Sequence, residues 1–308
     1  MSDVVKAALT QLPILPGEYL PGYLARLRQT LFFVDNADFF RITKGVKLGK
    51  LDKLFPKVAL RFAYLNLKQG QRGKLLHHHL GARYWRGYID ESKLDEHIHN
   101  ETINNKSTRS VFRGEELMGD LLKPRFCSAC VESDKQLYGV ALWKANHQLP
   151  SVYVCSEHRT PLKWFEIDRL STLLDYPTPQ YIPNKAIHIP ELLPSLEDIT
   201  DKSIFFLNQK TEENREIIKD IRSDMVIGLD ASTNGRRVSV KLDVVKEWRR
   251  YLGKRLDEID PIQQGRSSVK VLQKFHPNEI LNESSLTHPM LFLLLLQFTE
   301  LYTGKRSI

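Results

Sequence analysis

The 308-residue sequence predicts a mainly α protein in which helix-turn-helix-like helical domains flank one small zinc ribbon. Three observations predict it. All three cysteines join one histidine in two knuckles, Cys127-x-x-Cys130 and Cys155-x-x-His158; apolar residues recur at helical spacing on both sides of them; and glycines punctuate the amino-terminal third. The expected organisation is a basic helical domain over 1–120, the ribbon over 121–170, a proline-rich linker over 171–195 and a helical domain with a second helix-turn-helix over 196–308.

The first predicted helix runs from Leu20 to Phe33, with Pro21 at its start and Leu20, Tyr23, Leu24, Leu27 and Leu31 on one face. Two readings stand for that face. It caps the first domain's core, or, with Tyr19, Arg26 and Arg28 beside it, it contacts a partner protein. Short helices are predicted at 38–43, 56–67, 73–81 and 115–122, with a polar connection over 90–110. His77-His78-His79 cannot form one coordination sphere, because successive helical residues point about 100° apart. His97-x-His99 falls in the polar connection and offers a weak site at most. Beyond the ribbon, prolines at 177, 179, 183, 190 and 194 predict an extended passage, followed by helices over 197–207, 211–227, 242–251 and 288–302. The apolar run Leu291 to Leu296 falls far short of the roughly 20 residues of a membrane span and predicts a buried helix.

Four protein ligands close a tetrahedron, whereas catalytic zinc keeps one position open, so the knuckles predict a single structural Zn²⁺. Phe126, Trp143, Leu149, Val152, Val154, Leu162 and Trp164 supply a local core around it. An odd cysteine count and the lack of a leader before Pro13 argue against disulfides and for a reducing bacterial cytoplasm.

The formal net charge is +8, and residues 1–126 carry 21 Lys and Arg against 13 Asp and Glu while the remainder is balanced at 24 each. Between Arg41 and Arg86, 12 basic residues face Asp52 alone and are interleaved with Phe55, Phe62, Tyr64, Tyr84 and Trp85. That is either a solvated helix face or a surface that meets phosphates. A second cluster, Arg236, Arg237, Lys241, Lys246, Arg249, Arg250, Lys254 and Arg255, meets only Asp243 and Glu247. It reads as a DNA-facing helix or as the wet side of an amphipathic helix whose dry side is Leu242, Val245, Trp248 and Leu252. No phosphate-cradling glycine loop with lysine, Gly-x-Ser-x-Gly elbow or HExxH motif occurs.

The segment Arg125-Phe126-Cys127-x-x-Cys130, Trp143, His147-Gln148-Leu149-Pro150, Cys155-x-x-His158 and Pro161-Leu162 resembles the signature of the TniQ/TnsD family of transposon target-selection proteins. The opening Pro16-Gly17-Glu18-Tyr19-Leu20 and the closing His288-Pro289 with Leu291 to Phe298 agree with it too. Ser128 and Ser156 stand where the family usually has proline, and neither is a ligand. The resemblance implies a non-catalytic adaptor that binds target DNA, or a CRISPR effector with its guide RNA, and recruits a transposon AAA+ ATPase of the TnsC/TniB kind. It also implies that His78, Tyr84 and Trp85 pack against the first domain. A zinc-dependent nucleic-acid hydrolase is the remote alternative; it would need an exchangeable metal position and a nearby general base. Sequence-reading members usually continue past the His-Pro segment, so the length favours the RNA-guided type or a truncated reader of an attachment sequence. No membrane is expected among the partners, and the oligomeric state, a homodimer included, is left open.

Overall fold

The computed structural model describes residues 12–31, 124–164, 187–188, 194–235, 237–259, 275–282 and 288–306, with positions 74–76, 78–81, 84, 87, 88, 96 and 179. The helices expected at 38–43, 56–67 and 115–122, most of the polar connection and most of the basic run 41–86 lie outside the described residues. What is described is mainly helical.

Helix α1, Leu20–Thr30, starts with Pro21 in its first turn, where a missing N–H leaves no helical bond unmade. Its apolar face turns inward: Leu20, Leu24 and Leu27 are fully buried. The ribbon follows. Strand β1, Arg125–Phe126, leads into helix α2, Ser128–Tyr138, which ends at Gly139 in the left-handed conformation that a helix C-terminus commonly requires. A single 3₁₀ turn, Asn146–Gln148, and strand β2, Lys163–Trp164, complete the segment. Strand β3, Ile187–His188, returns from the proline-rich passage and pairs antiparallel with β2, placing Lys163 opposite His188, while β1 pairs on the other side with Arg125 opposite Trp164.

The carboxy-terminal helices surround one apolar rod. Helices α3, Pro194–Asn208, and α4, Thr211–Gly228, are followed by a β-hairpin of β4, Ser232–Asn234, and β5, Arg237–Ser239. Then come α5, Leu242–Ile259, α6, Pro277–Leu281, and α7, Pro289–Thr303. Every residue of α7 from Pro289 to Glu300 is buried, as a helix apolar all round must be, and α3, α4, α5 and α6 all pack on it. Gly228 lets α4 approach closely, since a Cβ there would lie 3.0 Å from a Thr303 methyl. Trp248 of α5 is fully buried, donates its indole N–H to the Phe275 carbonyl at 2.9 Å and sets its ring 5.6 Å from Phe298. The hairpin is the connection that apolar periodicity left unassigned between the helices expected over 211–227 and 242–251, the second of which runs on to Ile259; Gly235, at φ +58°, sits in its turn. One continuous apolar core includes α1, the buried side of the ribbon and this bundle. Among the described residues no helix is long and apolar enough to cross a membrane.

Candidate metal centre

Local geometry brings the two knuckles together. Cys127 occupies the N-cap of α2 and Cys130 lies in its first turn, so both sulfurs leave the same end of the helix. The second knuckle is a tight turn closed by the Arg159 N–H donating to the Cys155 carbonyl at 2.9 Å, with Arg159 at φ 52°. The four donor atoms of Cys127, Cys130, Cys155 and His158 lie within 4.8 Å of one another. Cys130 Sγ is 3.6 Å from Cys155 Sγ, and His158 Nδ1 lies 3.6, 3.3 and 3.5 Å from the sulfurs of Cys127, Cys130 and Cys155. A tetrahedron with bonds of about 2.3 Å to sulfur and 2.0 Å to nitrogen has edges of roughly 3.8 and 3.5 Å, so the cluster has the dimensions of a zinc site. A disulfide would need sulfurs near ~2.05 Å, and all three cysteines are free.

The surroundings suit thiolates. The His158 N–H donates to Cys155 Sγ at 3.4 Å, and Thr160 Oγ1 lies 3.4 Å from Cys127 Sγ, the kind of outer contacts that orient metal ligands. Mutual hydrogen bonds among the sulfurs hold the Cys127 thiol far below its ordinary value and push those of Cys130 and Cys155 up. Three sulfurs this close ionise together only beside a cation, which Zn²⁺ would supply.

A shell of motif residues holds the knuckles in place. Arg125 is buried, and its guanidinium donates to the carbonyls of Leu149 at 2.6 Å and Val152 at 2.7 Å while lying 5.5 Å from the Tyr153 ring centroid. Gln148 completes the tie: its amide donates to the Arg125 and Lys144 carbonyls at 2.7 and 3.0 Å and accepts from the Arg125 N–H at 3.0 Å. Buried His147 is pushed down to about 3 by desolvation and so stays neutral. Phe126, Val131, Ala141 and Trp143 form a small apolar cluster beside the knuckles, against which Tyr19 packs.

The segment leading into α1 docks on that cluster. The Tyr19 N–H donates to the Trp143 carbonyl at 2.5 Å, the Ala145 N–H to the Gly17 carbonyl at 2.8 Å, and a Cβ on Gly22 would collide with Trp143 at 2.8 Å. Glu18, 1% exposed, takes both Arg26 Nε and an Arg26 terminal nitrogen at 2.8 Å, and its carbonyl lies 2.7 Å from His79 Nδ1.

Residues 9–162, half of the chain, match the TniQ family model. The chain belongs to the TniQ family. No curated protein matched the chain. The TniQ span includes α1 and all four residues of the Cys₃His cluster and ends at Leu162, and the family is one of transposon-associated target selection.

Within the TniQ domain, the residues read as a partner contact are placed differently from one another. Leu20, Tyr23, Leu24 and Leu27 lie in the core, and Arg26 is engaged by Glu18 and by the Pro13 carbonyl at 3.0 Å, so none of these five presents a free surface. The physical reason is that one side of α1 packs on the ribbon and the rest of the apolar core. Tyr19 and Arg28 are half-buried. The packing role expected of His78 belongs to its neighbour: His78 is exposed, whereas His79 meets Glu18, and Tyr84 is fully buried with its hydroxyl 2.6 Å from Ser151 Oγ. Trp85 lies outside the described residues.

Beyond the TniQ span, the second basic cluster divides. Arg236 lies outside the described residues. Arg237, Lys241, Lys246, Arg250 and Lys254 are exposed, with Lys241 paired to Asp230 and Arg250 to Glu247 at 2.6 Å. Lys246, Arg250 and Lys254 are four apart and form one stripe along α5. Arg249 is half-buried, and Arg255 is drawn against Ser195 Oγ at 2.6 Å, Glu258 and the Tyr251 ring. Sequence reasoning missed Glu18, Gln148 and the structural role of Arg125; only the motif letters pointed to them.

Proposed function

We propose that this TniQ protein is a non-catalytic adaptor for transposition that holds target nucleic acid on one surface and a transposon AAA+ ATPase on another. The carrying observation is the TniQ match together with the Cys₃His cluster inside it, whose four donors would fill every position of a tetrahedral zinc. Cys127, Cys130, Cys155 and His158 would hold the ion, which would stabilise the fold rather than react. The exposed stripe Lys246, Arg250 and Lys254 supports a nucleic-acid surface on α5, whether the partner is duplex target or a guide-RNA effector complex. With the apolar face of α1 spent on the core, the ATPase contact falls to the ribbon or the carboxy-terminal helices. An adaptor acts by raising the local concentration of one partner near the other, so binding of both at once is its signature.

The test is a reconstitution with the zinc-loaded chain, immobilised target DNA with and without a guide-RNA effector, and the matching ATPase. The ATPase should be retained on target only when the chain is present. Retention of the chain on target with no gain in bound ATPase would overturn the adaptor reading.

A further inference from the structure

A cavity of about 440 Å³ opens where the start of α3, the last turns of α5 and the end of α7 meet. Ser195, Asp198, Arg255, Glu300, Lys305 and Arg306 line it. Its carboxylates are already engaged: Asp198 and Glu300 share the buried Lys202 at 2.6 and 3.0 Å, and Glu258 pairs with Arg255. Two of its cations are not, and a third has an N–H to spare. Among the described residues Lys305 and Arg306 meet no carboxylate, and Arg255 Nε is buried without a hydrogen-bond partner. With Lys202 counted, four cations stand against three carboxylates, leaving a net positive pocket.

Arg255 is also held still. Its guanidinium sits 5.1 Å over the Tyr251 ring and donates to Ser195 Oγ at 2.6 Å and to Glu258, so its position at the pocket wall is fixed. Pro194 and Ser195 bring the amino-terminal, positive end of the 15-residue helix α3 to the same edge. On α5 Arg255 follows Lys254, the last residue of the exposed stripe Lys246, Arg250, Lys254, and lies about 100° round the helix from it, so the pocket sits beside the end of a basic track.

We infer that this pocket seats one phosphate group of a nucleic-acid backbone, bound by Arg255, Lys305 and Arg306. The inference rests on the proposed nucleic-acid contact of α5 and supplies its anchor. A backbone phosphate on the track would bring its neighbours past Lys254 and Arg250, whereas a free anion would use the pocket alone.

The experiment uses the full zinc-loaded chain and a fluorescent mixed-sequence 20-base-pair duplex, with affinity measured across a salt series. Lys305→Ala with Arg306→Ala alters two exposed side chains, so the fold is preserved. Because both address one phosphate, the slope of log affinity against log salt should fall by about one, with a several-fold loss at low salt. Arg255→Lys, which keeps charge but loses the guanidinium fork, should weaken binding with little change in slope. Inorganic phosphate should compete against the wild-type chain and lose that effect in the double variant. An unchanged slope in the double variant, while Lys246→Ala with Arg250→Ala lowers it, would remove the pocket and leave the α5 contact standing. Absence of duplex affinity in the wild-type chain would overturn both. Phosphate protection against heating that the double variant abolishes, with duplex binding unaltered, would assign the pocket to a free anion and overturn the backbone assignment.

Discussion

Arg125 illustrates how much a single side chain organises here: fully enclosed, it meets backbone carbonyls where a buried cation would ordinarily meet a carboxylate, and burial pulls its pKa below the usual guanidinium value. Arg125→Met should leave the Leu149 and Val152 carbonyls unpaired and cost on the order of 3 kcal/mol, read as a lower denaturant midpoint with zinc bound. A midpoint within experimental error of wild type would mean that water replaces the guanidinium. Cys130→Ser should be more severe, since zinc contributes on the order of 10 kcal/mol to isolated fingers; metal analysis should fall well below one zinc per chain and the central segment should unfold. An unaltered melting curve would contradict a structural metal. The four ligands were legible because metal geometry demands paired spacing that chance seldom produces. Arg125 was legible only as a letter of a motif, because its partners are carbonyls 24 and 27 residues away, and a carbonyl has no identity in a sequence.

At the scale of the element, α1 shows why an apolar stripe does not reveal what it faces. Its 3.6-residue period was readable, but whether the stripe meets the chain's own core or another protein depends on Trp143 and the ribbon, more than 100 residues on. The Glu18–Arg26 pair was equally hidden, because Glu18 precedes the helix and the two are eight apart rather than four. Helix α5 carries the test of the nucleic-acid surface: neutralising Lys246, Arg250 and Lys254 together should flatten the salt dependence of duplex or effector binding, by up to about three units if each touches a phosphate. No change in slope would assign the stripe to solvent. Helix α7 carries a pH dependence. Its N-cap His288 accepts from the Met290 N–H at 3.2 Å, and burial pushes its pKa down to about 3, against about 6.5 when unfolded. As pH falls the unfolded chain takes up the proton first, so this contribution is complete above about pH 6.5 and is lost progressively toward pH 3, by about 1.4 kcal/mol per unit. His288→Asn, which keeps a capping acceptor, should flatten the acid limb relative to wild type in unfolding titrations from pH 7 to 4.5; parallel limbs would place the acid sensitivity elsewhere.

For the molecule as a whole, the ribbon is a joint. On one side Gly17 and Tyr19, just before α1, bond to it at Ala145 and Trp143; on the other, Ser151 lies 2.7 Å from Ser203 of α3, and Arg159 reaches Asp201 at 2.5 Å. Stripping the metal with a chelator should therefore loosen both sides together, seen as new proteolytic cuts within 12–31 as well as within 140–160 by mass spectrometry. Cuts confined to the ribbon would mean that the two sides hold each other without it. The arrangement of the bundle has a further bearing on how the chain is made. Because α3, α4, α5 and α6 all pack on α7, and α7 follows them in the chain, they leave the ribosome before their common support exists. Until residue 303 has emerged they must wait with apolar faces uncovered, so the carboxy-terminal half closes only after its synthesis, and a polypeptide interrupted before Pro289 becomes a substrate for chaperones and proteases.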